Sequence, residues 1–188
     1  MIEYGAAAAI GFALGEIPVS VIVARRYGVD LQRTSDGNPG AWNALEQLGA
    51  RRAWPAFVGD ALKAFAAGLL GYALGGWWCA WAGVAGAMAG HAAPPFGGKS
   101  VMCFVGGAFA LSPLAALACG ALCLAVTAWR GFAVGARAAV FAFPVAQLVT
   151  DPVQHVAGTG VLMTFIGLMF FLRRSGRASA DSAAQTTT

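Results

Sequence analysis

The chain has 188 residues, of which 59% are hydrophobic and 11% are charged, and its formal net charge is +4 at pH 7. About a quarter of the residues in a typical soluble domain are charged, so this composition excludes a soluble globular protein and predicts an all-α integral membrane protein. The basic residues are explained by membrane topology and attraction to anionic lipid, and we expect no nucleic-acid partner.

The first predicted span covers residues 4–24 and is followed by a polar, basic loop. No basic residue precedes Arg25, so the segment lacks the basic flank of a cleavable signal peptide, and we expect it to remain on the protein. If the loop from Arg25 to Arg52 is cytoplasmic, residues 54–74 run outward and residues 77–92 return. This order predicts an N-terminus on the outer side.

The stretch of residues 100–129 contains no Asp, Glu, Lys, Arg or His and has Ser112–Pro113 near its middle. It is too long for one untilted span and too short for two full ones, so we predict two short helices that meet at this proline. Arg130 and Arg137 are then expected in a cytoplasmic loop, residues 138–149 run outward and residues 153–172 return. The sequence therefore predicts about seven transmembrane helices, some of them short, with the N-terminus outside and the C-terminus inside.

The chain has no sign of a second domain. We predict one polytopic membrane domain over residues 1–174 and a disordered cytoplasmic tail over residues 175–188, which is rich in Ser, Ala and Thr. The four cysteines make neither a C-x-x-C pair nor a Cys/His cluster and are expected to be small buried hydrophobic residues. We predict neither a metal site nor a cofactor.

Polar residues that packing does not explain are concentrated in the loop of residues 30–43. Its Asp-Gly, Asn-Pro and Pro-Gly pairs favour tight turns in which backbone N–H groups converge on one point, as phosphate binding requires. An ordinary solvated loop is the alternative interpretation. Gly37, Asn38, Gly40 and Asn43 are the candidate functional residues of this loop.

Ionisable residues inside or next to the predicted spans are a second indication of a functional site. Asp60 and Lys63 lie one helical turn apart, which fits either an ion pair or the lining of a polar site. Glu16 is expected to face the interior of the first span. His91 and Lys99 flank a turn rich in Gly and Pro, which is either a functional loop or an ordinary capped helix end.

These motifs, in this order, resemble the acyl-phosphate-dependent glycerol-3-phosphate acyltransferases of bacteria. The resemblance rests on Gly15-Glu16-Ile17-Pro18, Asp36-Gly37-Asn38-Pro39-Gly40-Ala41-Trp42-Asn43, Asp60-Ala61-Leu62-Lys63, Gly90-His91 and Gly97-Gly98-Lys99. It covers residues 11–100 by motif and the rest of the chain only by topology. The resemblance implies a multi-pass protein of the bacterial inner (plasma) membrane, with its motif loops on the cytoplasmic side.

The reaction that the resemblance implies transfers a fatty acyl group from acyl phosphate to glycerol 3-phosphate, giving lysophosphatidic acid for phospholipid biosynthesis. Acyl phosphate is already activated, so positioning and charge stabilisation can replace an acyl-enzyme. The residues implied in phosphate binding are Gly37, Asn38, Gly40, Lys63, Gly97, Gly98, Lys99 and Arg130. Asn43 would bind a hydroxyl or carbonyl group and His91 would act as a base, with Glu16 and Asp60 lining the site.

Three acidic residues depart from the family pattern. Glu16 and Asp36 stand where the family has serine, and Glu46 stands where it has arginine. Negative charge near a phosphate site repels the ligand, so these substitutions argue for a second hypothesis. Under that hypothesis the protein is a homologue without activity that binds lipid or a partner membrane protein.

The second half of the chain departs further. Ala133 and Ala136 occupy expected serine positions, and the closing His-x-x-Asn-Ile motif of the family is absent. Arg173 or Arg174 is a candidate replacement for that motif. A small transporter or channel is a third hypothesis, because the ionisable residues of the first two spans could line a polar path.

Overall fold

The protein is represented by a computed structural model that describes the backbone of residues 1–185 and the side chains of residues 1–173. Its helices are α1 (Ile2–Gly15), α2 (Val19–Arg25), α3 (Ala41–Leu48), α4 (Ala50–Gly75), α5 (Trp77–Ala92), α6 (Val101–Leu111), α7 (Pro113–Arg130), α8 (Phe132–Thr150) and α9 (Val153–Gln185). A short 3-10 turn, Leu31–Arg33, lies between α2 and α3. Helices satisfy their own backbone hydrogen bonds, as the interior of a bilayer requires.

Five segments of the described chain are long and apolar enough to cross a membrane. They are α1 together with α2, then α4, α7, α8 and the first part of α9. Helices α5 and α6 have 16 and 11 residues, fewer than the roughly 20 that span an untilted bilayer. The prediction of a multi-pass helical membrane protein is confirmed, and the number of spans and the sides of the termini stay predictions.

The first predicted span is divided in two. α1 ends at Gly15 and α2 begins at Val19, directly after Pro18. Proline has no backbone N–H and its ring collides with the preceding helical turn, so a continuous helix cannot pass through this position. The break between α1 and α2 leaves backbone carbonyl groups without helical partners, and the candidate site forms around it.

The predicted division of residues 100–129 is confirmed, since α6 ends at Leu111 and Pro113 begins α7. However, α7 is 18 residues long and is therefore not a short helix. The next helix begins earlier than predicted, at Phe132, so Arg137 lies within α8 and not in a loop. Gly131 alone separates α7 from α8, with φ of 86°.

Small residues let the central helices approach closely. α1 packs mainly on α5, and a Cβ atom on Gly11 would lie only 2.0 Å from the carbonyl oxygen of Gly83. α4 packs on both α5 and α6. Cys79, Cys103 and Cys119 are buried in the apolar core, which confirms the prediction for these three cysteines.

The motif loops meet at one end of the helix bundle, which we call the motif end. It comprises the loop after α2, the loop after α5, the α7–α8 junction and the part of α9 around Arg173. Phe132 of the junction stacks on Trp42 of α3, with ring centroids 5.9 Å apart. Arg173 donates a hydrogen bond to the carbonyl oxygen of Ala92 at 3.3 Å.

The opposite end of the bundle gathers the remaining helix junctions. Trp77 Nε1 donates to the carbonyl oxygen of Leu111 at 2.9 Å, and the Ser112 hydroxyl donates to the carboxylate of Asp151. Successive helix junctions therefore alternate between two ends. This is the arrangement that antiparallel neighbouring spans produce.

The predicted tail lies only partly within the described chain. The backbone of residues 175–185 is described as the end of α9, whereas residues 186–188 and all side chains after Arg173 lie outside the described part. The disordered tail and the domain boundary at residue 174 therefore stay predictions.

Candidate active site

A buried ion pair lies where α1 breaks before α2. Lys63 Nζ is 3.1 Å from Asp60 Oδ1. Lys63 also donates to the carbonyl oxygens of Gly15 at 2.8 Å and Ile17 at 2.9 Å. Ser20 Oγ donates to Asp60 Oδ2 at 2.6 Å. The ammonium group thus binds two carbonyl groups at the helix break, of which that of Ile17 also accepts from Val19 N–H at 3.0 Å.

His91, in the last turn of α5, completes this cluster. Its Nδ1 lies 2.7 Å from Lys63 Nζ and 3.7 Å from Asp60 Oδ1. An ammonium group can only donate, so Nδ1 accepts and the neutral ring carries its proton on Nε2. Neither ring nitrogen then has a free lone pair. This geometry offers Nε2 of His91 as a hydrogen-bond donor, and the predicted role of His91 as a general base stays a prediction.

Lys63 has no proton left for a phosphate. Four acceptor atoms lie within 3.1 Å of its Nζ, and an ammonium group has three protons. The Lys63 side chain is only 4% exposed. These contacts hold His91 and the break after α1 in place, and the predicted phosphate contact of Lys63 stays a prediction.

Asn43 organises the loop between α2 and α3 from within. Its Nδ2 lies 2.8 Å from the carbonyl oxygen of Leu31 and 3.1 Å from those of Thr34 and Asn38. Its Oδ1 accepts a hydrogen bond from Thr34 Oγ1 at 3.1 Å. The loop itself uses the amide, and the residue is 1% exposed. The predicted contact between Asn43 and a substrate stays a prediction.

The predicted phosphate-binding turn uses its backbone donors internally. Gly37 N–H donates to the carbonyl oxygen of Thr34 at 2.8 Å. Asn38 N–H donates to Asp36 Oδ1 at 3.1 Å, and Gly40 N–H donates to the carbonyl oxygen of Asn38 at 2.8 Å. In this structure the three N–H groups are directed at the loop itself, and the predicted phosphate contact of Gly37, Asn38 and Gly40 stays a prediction.

Gly97 and Gly98 leave space for neighbouring side chains, and their predicted phosphate contact stays a prediction. Their N–H groups donate to the carbonyl oxygens of Ala93 and His91. A Cβ atom on Gly98 would lie 2.1 Å from His91 Nε2, and one on Gly97 would lie 2.1 Å from an Arg173 Nη atom. The missing side chains let the imidazole and the guanidinium lie directly against the loop backbone.

Lys99 joins the two motif loops to α9. Its Nζ lies 2.5 Å from Asp36 Oδ2 and 4.4 Å from the centre of the Phe170 ring. Arg173 follows Phe170 by one helical turn and contacts the carbonyl oxygen of Ala92. Two cations and one carboxylate therefore meet at the motif end. The surplus positive charge suits the binding of phosphate.

Two of the three acidic residues that depart from the family pattern, Asp36 and Glu46, have partners within the protein. Glu46 accepts hydrogen bonds from Ser35 Oγ at 2.5 Å and from Trp42 Nε1 at 2.7 Å, one at each carboxylate oxygen. Asp36 is paired with Lys99. Both carboxylates are engaged by neighbouring groups, so their presence does not exclude an anionic ligand nearby.

A cavity of about 120 Å³ opens beside the helix break. Its wall includes residues 15–18, 90–91 and 94–96, with Gly98 next to the His91 ring. Glu16 lines this cavity but is exposed, so the prediction that it faces the protein interior is wrong. The reason is the helix break, since α1 ends one residue earlier and Glu16 no longer follows the packed face of the helix.

Arg130 lies at the motif end but apart from the two loops. It is exposed, and its guanidinium lies 4.1 Å from the centre of the Trp129 ring. In the described part of the chain no contact joins Arg130 to His91 or Lys99. Its predicted phosphate contact therefore stays a prediction.

Three residues near the site were not found from the sequence. Ser20 binds the Asp60 carboxylate, Gln32 Nε2 donates to the carbonyl oxygen of Pro95 at 2.9 Å, and Phe170 faces Lys99. Ser20 is a small polar residue in an apolar helix, which is a weak signal. No sequence pattern indicated Gln32 or Phe170, because the residues that they contact lie 63 or more positions away in the chain.

The fold and the site define a multi-pass helical membrane protein with a cluster of basic groups at one end of the bundle. A family model described as "Glycerol-3-phosphate acyltransferase" matches residues 5–179. The chain belongs to this enzyme family, as its motifs predicted.

Related proteins support this assignment. The glycerol-3-phosphate acyltransferase of Neisseria meningitidis serogroup B is 36% identical over 182 residues, which are 90% of this chain and 89% of the relative. The protein of the same name from Rubrobacter xylanophilus is 38% identical over 109 residues, and this match spans only 55% of either chain.

Solved structures agree with the family assignment. The crystal structure of PlsY, an integral membrane glycerol 3-phosphate acyltransferase, in its glycerol 3-phosphate form superposes with a TM-score of 0.76 at 26% identity. This match covers 96% of the present chain and 92% of PlsY. The lysophosphatidic acid form gives a TM-score of 0.73 at 25% identity, with the same coverage.

Proposed function

We propose that the protein transfers a fatty acyl group from acyl phosphate to glycerol 3-phosphate, giving lysophosphatidic acid and inorganic phosphate. The observation that carries the proposal is the meeting of His91, Lys99 and Arg173 at the motif end, in a chain of this family. Two phosphorylated substrates need cations, and a fatty acyl chain needs an apolar surface. The motif end would lie on the cytoplasmic side of a bacterial inner membrane.

The reaction needs attack by the 1-hydroxyl group of glycerol 3-phosphate on the acyl carbonyl carbon. The new carbon–oxygen bond forms, the carbonyl carbon–phosphate oxygen bond breaks, and phosphate leaves with that electron pair. His91 Nε2 carries a proton, so it donates a hydrogen bond to developing negative charge and does not remove the hydroxyl proton. The hydroxyl proton passes to a phosphate oxygen, and Lys99 stabilises the negative charge of the phosphate.

The hypothesis of a homologue without activity depended on acidic residues next to the site. Asp36 and Glu46 both have partners within the protein, so these two carboxylates give little support to a loss of phosphate binding. The buried Asp60–Lys63 pair likewise gives no support to a transport path, because its polar atoms are directed at neighbouring protein groups.

A direct assay tests the proposed function. Purified protein in detergent, given palmitoyl phosphate and glycerol 3-phosphate, is expected to release one phosphate for each lysophosphatidic acid formed. A reaction without glycerol 3-phosphate measures background hydrolysis. Absence of turnover by folded wild-type protein, together with failure to restore growth to an acyltransferase-deficient strain, would sink the proposal and favour the lipid-binding or partner-binding role.

Substitution Gly98→Ala is expected to lower kcat by about 10- to 100-fold, since misplacing a positioned group by 1 Å can lower a rate about 100-fold. The new Cβ atom would lie 2.1 Å from His91 Nε2, so the ring must move. Gly160→Ala is the matched control, because a Cβ atom there meets nothing within 4 Å. Steady-state kinetics on both purified variants provide the check, and a wild-type kcat for Gly98→Ala would contradict the placement of His91.

A further inference from the structure

Arg173 of α9 lies against the loop that follows α5. Its Nη2 donates to the carbonyl oxygen of Ala92 at 3.3 Å. Gly97 leaves the room for this contact, since a Cβ atom there would lie 2.1 Å from Nη2. Phe170, one turn earlier on α9, contacts Lys99 Nζ. The same end of α9 therefore brings Arg173 and Lys99 to one loop.

The Arg173 guanidinium keeps hydrogen-bonding capacity that the described protein does not use. A guanidinium group has five N–H donors in a planar fork. Nε of Arg173 is buried and has no hydrogen-bond partner within the described part of the chain. A buried donor without a partner is rare in native proteins and indicates an ion, a water or a ligand at that position.

The charges around the site point to an anion. The described salt bridges pair Lys63 with Asp60 and Lys99 with Asp36, and none of them includes Arg173. Arg173 therefore adds positive charge at this loop, as does Arg25, whose guanidinium lies 5.5 Å from the centre of the Phe96 ring. An anion that accepts two parallel hydrogen bonds would use both the charge and the fork.

We infer that Arg173 binds a substrate phosphate group through Nε and a neighbouring Nη atom, beside Lys99. The inference rests on the proposed function, in which both substrates carry a phosphate group. Glycerol 3-phosphate and acyl phosphate share this chemistry, and separate KM values identify which of the two Arg173 binds.

Three variants test the inference. Arg173→Gln removes the charge and the fork, and Arg173→Lys keeps the charge alone. Arg51→Gln, at an exposed position at the start of α4, is the matched control. Arg173→Gln is expected to raise the KM of one substrate by about tenfold or more, as expected for a lost hydrogen bond to a charged group, with a smaller change in kcat. Arg173→Lys should lie between it and the wild type.

Ligand-dependent thermal stability supplies a readout that does not need turnover. Glycerol 3-phosphate and inorganic phosphate are each expected to raise the Tm of the wild type and of Arg51→Gln, but not that of Arg173→Gln. An inactive wild type whose Tm rises with phosphate only when Arg173 is present would refute the proposed function and leave the phosphate site supported.

Two results would overturn the inference. One is an Arg173→Gln variant with both KM values and the phosphate-induced change in Tm equal to those of the wild type. The other is a wild type that shows neither turnover nor stabilisation by either ligand. If Arg173→Gln does not fold, Arg173→Lys decides: a raised KM supports the inference, and a wild-type KM for both substrates overturns it.

Discussion

Replacing Lys99 with alanine is expected to lower kcat/KM by about 100- to 1,000-fold, the range found when one donor to developing negative charge is removed. The physical reason is twofold. The variant removes a cation that would face a phosphate group, and it leaves the Asp36 carboxylate without its lysine partner. Phosphate release from palmitoyl phosphate in the presence of glycerol 3-phosphate measures the loss.

The two contributions can be separated with paired variants. Lys99→Arg keeps the charge and should retain most activity, whereas the double variant Lys99→Ala with Asp36→Asn should regain part of the loss by removing the repulsion. If Lys99→Ala turns over at the wild-type rate, Lys99 is not in the phosphate site. If the double variant is no better than the single one, Asp36 does not act through its charge.

Breaking the buried Asp60–Lys63 ion pair of α4, whose lysine binds the α1–α2 break, is expected to destabilise the whole helix bundle. Lys63→Met leaves the Asp60 carboxylate buried and removes the donor from the Gly15 and Ile17 carbonyl groups. Removing one partner of a buried pair costs about 3–5 kcal/mol, so the apparent Tm should fall by about 6–20 °C. Thermal unfolding of the detergent-solubilised protein measures this change.

A double-mutant cycle distinguishes a specific pair from general disruption. The combination of Lys63→Met with Asp60→Asn should destabilise less than the sum of the two single variants, because no uncompensated charge remains buried. Arg51→Met, at an exposed position, should leave the Tm unchanged and serves as the control. A Tm for Lys63→Met within about 2 °C of the wild type would show that the pair is not a structural element, since a loss of even 1 kcal/mol shifts the Tm by about that amount.

Much of the fold could be predicted because it depends on local properties of the chain. The lengths of the apolar stretches predicted the main helices, and Pro113 predicted the junction between α6 and α7. The break at Pro18 was missed, although the proline was visible, because overall apolarity suggested one continuous span. The early start of α8 was missed because Arg137 was assigned to a loop on the basis of its charge alone.

The candidate site was only partly predictable. The motifs indicated His91, Lys63 and Lys99 as candidate residues, yet they did not show which polar atoms remain available to a ligand. A residue type indicates how many hydrogen bonds a side chain can make, but its neighbours decide which ones it makes. Asn43 illustrates this limit, since an amide suited to a substrate hydroxyl is instead enclosed by its own loop.

The sequence by itself determined the class of protein, the order of its helices and its family, because composition, apolar length and motif order are properties of the chain. Only the tertiary structure decided the roles of the polar residues. Lys63 lies 48 positions from Gly15, and Arg173 lies 81 positions from Ala92, so no local pattern reveals these contacts. A side chain has only a small number of N–H protons to donate. Those of Lys63 are directed at protein groups, whereas the buried Nε–H of Arg173 has no partner in the described part of the chain and is available to a ligand.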